Sequence, residues 1–231
     1  MPRIWTHKAR VVLALLVTIA VLHFVANRVF AVAVLALSWS FLFAPFSTGE
    51  LVAFVLAAFF FLLQNYVCLR AGLFEFRFKD VLLMPYYEPL LWGFYFISMK
   101  RFITGPTSED IVIDKKSVAG VVLTSVAFSL FSFDSRALFV ATACSTTFLF
   151  FLFHSKIDLY YASYGLMLGV IIELFGVSTG LWWYPAPDFL GIPYWFATMW
   201  ISVGLLGRRF LIPASETVAR NIRRSAGVSA G

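Results

Sequence analysis

The chain has 231 residues, of which 61% are hydrophobic and 13% charged, with a mean hydropathy of +0.88. That composition excludes a water-soluble domain of ordinary kind and requires an integral membrane protein. A net charge of +6 and a pI near 9.5 follow from topology and anionic lipid, so nucleic acid is not needed as a partner.

Apolar runs occur in chain order at about residues 11–26, 29–46, 51–68, 81–99, 117–133, 137–153, 157–175 and 189–207. Most approach the roughly 20 residues that cross a bilayer as a helix. The expected fold is therefore an all-α integral membrane protein of about eight transmembrane helices. The first run follows a basic start, as a signal peptide would, but it leads at once into another span and is kept as the first helix.

A shift of 108 positions lays residues 28–103 on 136–211 without a gap, with identity at 15 of 76 positions. Gly72, Leu73, Asp80, Pro85, Tyr86, Trp92 and Arg101 recur as Gly180, Leu181, Asp188, Pro193, Tyr194, Trp200 and Arg209. The shift carries four spans onto four, so the two repeats enter the membrane from the same side and are parallel. The expected units are a first repeat at 1–105, a cytoplasmic linker at 106–116, a second repeat at 117–213 and a basic tail at 214–231, either a lipid-surface helix or disordered.

With eight spans, thirteen Lys and Arg residues, among them Lys8, Lys100, Lys116, Arg208 and Arg224, fall on one face. Five, Arg28, Arg70, Arg77, Lys79 and Arg136, fall on the other. The excess places both termini in the cytoplasm of a protein integral to the cell (inner) membrane.

Ser47 precedes Glu50 by three residues ahead of an apolar run, and Ser155 stands in the same relation to Asp158. Each is a capping box, in which the acid is structural more often than it is a proton carrier. The loop after the third span alternates Phe with charge from Leu73 to Asp80, which suits an extended segment at the lipid surface. Its counterpart, Leu181 to Asp188, keeps the aromatics but carries Pro185 and Pro187, which oppose a paired strand. Aromatics at that level are expected to be membrane-belt residues.

Polar residues within spans are costly, and each asks for a partner or a role. Gln64, Asn65, Glu88 and Glu173 all belong to the non-cytoplasmic half of the bilayer. Prolines 85 and 89 bracket Glu88, so the helix must open or begin there beside a buried acid. Cys68 and Cys144 lie at non-equivalent places and form no ligand pair. His7, His23 and His154 are scattered, so a di-iron centre is not expected.

The segments Asn65, Gly72-Leu73-Phe74-Glu75-Phe76 and Met84-Pro85-Tyr86-Tyr87-Glu88, with Glu173, Gly180-Leu181-Trp182-Trp183-Tyr184 and Ile192-Pro193-Tyr194, resemble the duplicated membrane domain of heterodimer-type lycopene cyclases and related carotenoid hydratases. The likeness covers the last two spans of each half. It departs from that family in carrying one acid after Pro85 and none after Pro193, where Trp195 and Phe196 stand. The resemblance implies a membrane-embedded, cofactor-independent carotenoid or isoprenoid enzyme performing acid-initiated cyclisation or hydration of a polyene end group. Glu88 would donate the proton and Glu173 or Asn65 would receive or position it. Tyr86, Tyr87, Trp92, Trp182, Tyr194, Trp195 and Trp200 would bind the substrate and shield a cation. No metal is implied, and the partners would be a polyene or isoprenoid, membrane lipid and a second copy of the chain. The alternative is a non-catalytic lipophile carrier or transporter, or an assembly subunit of a membrane complex.

Overall fold

A computed structural model describes residues 2–105 and 112–225. Most of this is helix: α1 (Pro2–Phe24), α2 (Arg28–Phe43), α3 (Thr48–Arg70), α4 (Glu88–Ile103), α5 (Lys115–Phe131), α6 (Ser135–Leu152), α7 (Lys156–Ser178), α8 (Trp195–Leu206) and α9 (Ile212–Ser225). A π turn, Gly207–Leu211, joins α8 to α9 without a break. Two two-residue strands, β1 (Glu75–Phe76) and β2 (Trp182–Trp183), pair antiparallel with Phe76 opposite Trp182. The chain is an integral membrane protein: Thr6–Phe24, Thr48–Arg70, Ser135–Leu152 and Lys156–Ser178 are each long and apolar enough to cross a bilayer.

The helix starts obey local chemistry. Ser47 and Ser155 cap α3 and α7 through complete capping boxes with Glu50 and Asp158. Asp114 and Asp134 cap α5 and α6. Asp114 accepts from the Ser117 hydroxyl and N–H at 2.6 and 2.7 Å, and these bonds hold its carboxyl below the usual range.

Both capping acids carry a second load. Glu50 receives a forked contact from Arg101 at 2.6 and 2.8 Å, and Asp158 one from Arg209 at 2.7 and 2.5 Å. These pairs bind α3 to α4 and α7 to the π turn. The neighbouring cations differ in use: Arg208 also reaches Asp158, whereas Lys100, its counterpart, turns to Glu216 of α9 at 3.3 Å. Both members of the Lys100–Glu216 pair are buried. Gly49 leaves the room for it, since a Cβ there would lie 2.5 Å from a Glu216 carboxyl oxygen.

The loops before α4 and α8 explain where those helices begin. After α3 and α7, Gly72 and Gly180 turn the chain at φ +74° and +66°. Short bridges then close at Val81–Met84 and Phe189–Ile192, with positive φ at Leu82 and Leu83 in one turn and at Leu190 and Gly191 in the other. Asp80 and Asp188 accept from the N–H groups of Tyr86 and Tyr194. The expected spans at 81–99 and 189–207 therefore start later, at Glu88 and Trp195, because the polypeptide ahead of each is committed to a turn and a proline. Arg28 pins the first of these loops through Asp80 at 2.7 Å.

Two further expectations change. Pro185 and Pro187 lie beyond β2 and do not prevent its pairing, since the ladder has already ended at Trp183. The segment from Ala214, expected as a lipid-surface helix or disordered, is helical as far as Ser225: α9 runs through it and packs on α3, burying Ile212, Ser215, Glu216 and Ala219. The linker residues 106–111 and the end of the tail, 226–231, lie outside the described residues.

Candidate functional site

The helices enclose a cavity of about 470 Å³ with almost wholly apolar walls. It follows α3 from Leu56 to Cys68, about 18 Å at 1.5 Å per residue. Ala214 and Val218 of α9 line it near one end, and Asn65, Glu88 and Glu173 near the other. Phe59, Phe60, Leu63 and Val218 line it and are also exposed, so it opens onto an apolar part of the surface. The volume is that of a small-molecule site.

At the polar end the two acids are held differently. Glu88 opens α4, with Pro89 at a position that needs no N–H. Its Oε1 accepts from the Asn65 amide at 3.0 Å and the Trp92 indole at 2.9 Å, and Oε2 has no hydrogen-bond partner among the described residues. Glu173 is buried on α7 and accepts from Trp182 at 2.8 Å, Tyr184 at 2.7 Å and Trp200 at 3.4 Å. Both its oxygens are occupied. The indoles of Trp92 and Trp200 stack at 5.1 Å and 16°, and Phe61 stacks on the far side of Trp92 at 3.9 Å. Glycines make room for rigid rings: a Cβ at Gly169 would meet the Trp200 indole, and one at Gly176 the Trp182 indole, each within 2.5 Å.

Of the residues expected to form a site, Glu88, Glu173, Asn65, Trp92, Trp182, Trp195 and Trp200 do line this one cavity. Tyr86 and Tyr194 do not: each stands in the loop ahead of its helix, about half exposed. Tyr87 is buried but lies outside the lining. Trp182 and Tyr184, expected as belt residues, point inward onto Glu173, and of that segment's aromatics Trp183 is the exposed one. The strand pairing explains this, because alternate residues of β2 face opposite sides.

Tyr184, Tyr95 and Thr124 also line the cavity and were not expected there. Tyr95 had a usable signal, since it follows Glu88 by seven residues and Trp92 by three, on one helix face. Thr124 had a weaker one, in the spacing of Val121, Thr124, Ser125 and Phe128 along α5.

No family model and no curated protein matches the chain. Two solved structures share its fold, a mycobacterial Insig homologue, MvINS from Mycobacterium vanbaalenii, and a cross-linked trimer of MvINS. Each has a TM-score of 0.60, with 18% and 19% identity respectively, and the match covers 74% of this chain and 95% of the neighbour. These neighbours overturn the expectation of a carotenoid- or isoprenoid-modifying enzyme acting by acid-initiated cyclisation or hydration. The geometry agrees: Glu173, cast as proton acceptor, has both oxygens engaged by protein donors, and two of the seven proposed substrate contacts stand half exposed outside the cavity.

Proposed function

We propose that the chain is a non-catalytic membrane protein that takes an elongated lipophilic molecule from the bilayer and serves as the lipophile-binding subunit of a membrane assembly. The observation that carries this is the elongated apolar cavity, open onto an apolar part of the surface and polar at one end. An apolar chain would lie along α3, with a hydrogen-bonding end group at the free oxygen of Glu88. A polyene or a membrane lipid with such an end fits. The fold likeness supports a non-catalytic role, and the neighbour's printed description as a trimer supports a homo-oligomer for this chain.

We further read the chain as eight spans in two parallel four-helix modules with both termini cytoplasmic. Matched features 108 residues apart support this: the capping boxes, the Glu50–Arg101 and Asp158–Arg209 pairs, the positive-φ turns and the Trp92–Trp200 stack.

The test is solvent extraction of the purified full chain followed by mass spectrometry. A lipophile recovered at about one per chain, unchanged in mass on incubation, and lost from Ser125→Phe, which fills the cavity, is the expected result. A lipid profile no different from that of an unrelated membrane protein prepared alongside would end the proposal.

A further inference from the structure

The polar end of the cavity is rich in acceptors. Glu88 takes two donors on Oε1, from Asn65 and Trp92, and Glu173 takes three, from Trp182, Tyr184 and Trp200. Every one of these contacts is a donor, which is the surrounding a carboxylate has. Glu88 stands in the first turn of α4, where the partial positive charge of a helix start favours an anion. The two acids are near enough to repel each other. Among the described residues that line the cavity none is Lys, Arg or His, and Arg28, which reaches the loop ahead of α4, is paired with Asp80 at 2.7 Å. Three oxygens at this end remain unmatched: Glu88 Oε2, Asn65 Oδ1 and Gln64 Oε1 have no hydrogen-bond partner among the described residues. They are also accessible. The enclosed side-chain polar atoms without a partner are Tyr87 Oη, Tyr95 Oη and Thr124 Oγ1, whereas Glu88, Asn65 and Gln64 are half-buried and line the cavity.

We infer that the end group this cavity selects is a primary ammonium donating to Glu88 Oε2, so that the ligand class is a long-chain amine rather than a long-chain alcohol or fatty acid. This rests on the lipophile-binding proposal and deepens it. An ammonium brings three N–H donors and no acceptor, together with the positive charge that the lining lacks. An alcohol brings one donor and no charge, and a carboxylate brings charge of the wrong sign. An amine is a far stronger base than a carboxylate, so an entering amine would take the proton of a neutral Glu88 and leave the same ion pair. Hydrogen bonding, rather than contact with a ring face, decides the choice at Trp92, because Phe61 and Trp200 cover both faces of that indole.

The experiment uses the full chain in a non-ionic detergent and measures saturable binding of radiolabelled hexadecylamine, hexadecan-1-ol and hexadecanoic acid, which share a tail and differ in the head. The amine is expected to bind roughly tenfold more tightly than the alcohol, and the acid more weakly than either. In Glu88→Gln, which keeps an oxygen for Asn65 and Trp92 but removes the charge, the amine's affinity should fall to about that of the alcohol, whose own affinity changes less than about threefold. Should that variant no longer bind the alcohol, the order of the three heads on the native chain decides by itself. Equal affinity of amine and alcohol for the native chain, an acid that binds as tightly as the amine, or an amine advantage that Glu88→Gln leaves intact while the alcohol still binds overturns the ammonium assignment alone. Absence of saturable binding by all three overturns the lipophile-binding proposal with it.

Discussion

Trp92 and Trp200, 108 residues apart in sequence, lie nearly parallel with ring centroids 5.1 Å apart, and each donates its indole N–H to a different acid of the cavity. The stack is where the two halves of the chain meet in the cavity wall. Trp200 is 1% exposed, and Gly169 supplies its slot. Gly169→Ala should lower stability by about 1–3 kcal/mol through overpacking, and Trp200→Ala by about 3–5 kcal/mol through lost contact and cavity. Thermal unfolding in detergent with an intrinsic fluorescence readout checks both. A fully tolerated Gly169→Ala would show that the ring is not fixed as described.

The Arg101–Glu50 pair is almost fully enclosed, and Arg101 also donates to the Phe43 and Pro45 carbonyls. Glu50→Gln leaves a buried guanidinium without its counter-charge, and about 3–5 kcal/mol of stability should be lost. Replacing both partners by Met should cost less than either single change, because no uncompensated charge remains. Chemical denaturation of the three variants decides it, and additive costs would refute the coupling.

Helix α9 is tied to α4 by the buried Lys100–Glu216 pair, which fits over Gly49 of α3, while Arg220, Arg223 and Arg224 stay exposed. Glu216→Gln and Gly49→Leu should each loosen α9, the second by occupying the space of the carboxylate. Faster tryptic cleavage after these arginines, by about fivefold or more, is the expected outcome; unchanged rates in both variants would mean that the pair does not hold the helix.

Asp114 caps α5 from outside the spans, and its carboxyl is held below the usual value by the Ser117 hydroxyl and N–H. A folded pKa below the unfolded one means that the cap's contribution is complete above the unfolded pKa near 3.8 and fades as pH falls through the depressed folded value. Asp114→Ala should cost about 1 kcal/mol at neutral pH and progressively less in acid. A cost independent of pH between neutrality and strong acid would exclude the ionised cap.

Much of this was legible in residue order. Ser47 with Glu50 and Ser155 with Asp158 announce helix starts because a cap needs only local chain. Five of the eight apolar runs begin within three residues of their helices, whereas α1 starts nine residues ahead of its run. The late starts at Glu88 and Trp195 were hidden because Val81–Met84 and Phe189–Ile192 are as apolar as a span, and only the positive-φ turns reveal them as loops. The partners of the capping acids were also out of reach, since Arg101 lies 51 residues from Glu50 and nothing local joins them. For the site, Glu88, Asn65 and Glu173 stood out as polar residues in apolar runs, and the structure gathers them. Tyr184 was assigned only to the lipid boundary, and Trp182 to both boundary and site, because composition cannot say which side of a two-residue strand faces in. Tyr95 and Thr124 were overlooked because an unmade hydrogen bond is a property of three-dimensional surroundings.

The two acids of the hollow come from non-matching places, one from the first residue of α4 and one from deep within α7, and only the former keeps an oxygen to offer. Whatever likeness the two halves share in backbone is thus broken in chemistry at their meeting point. Both acids stand at one end of the cavity, so a guest with a single hydrogen-bonding end would be held there by Glu88 rather than Glu173, and its two ends would be told apart.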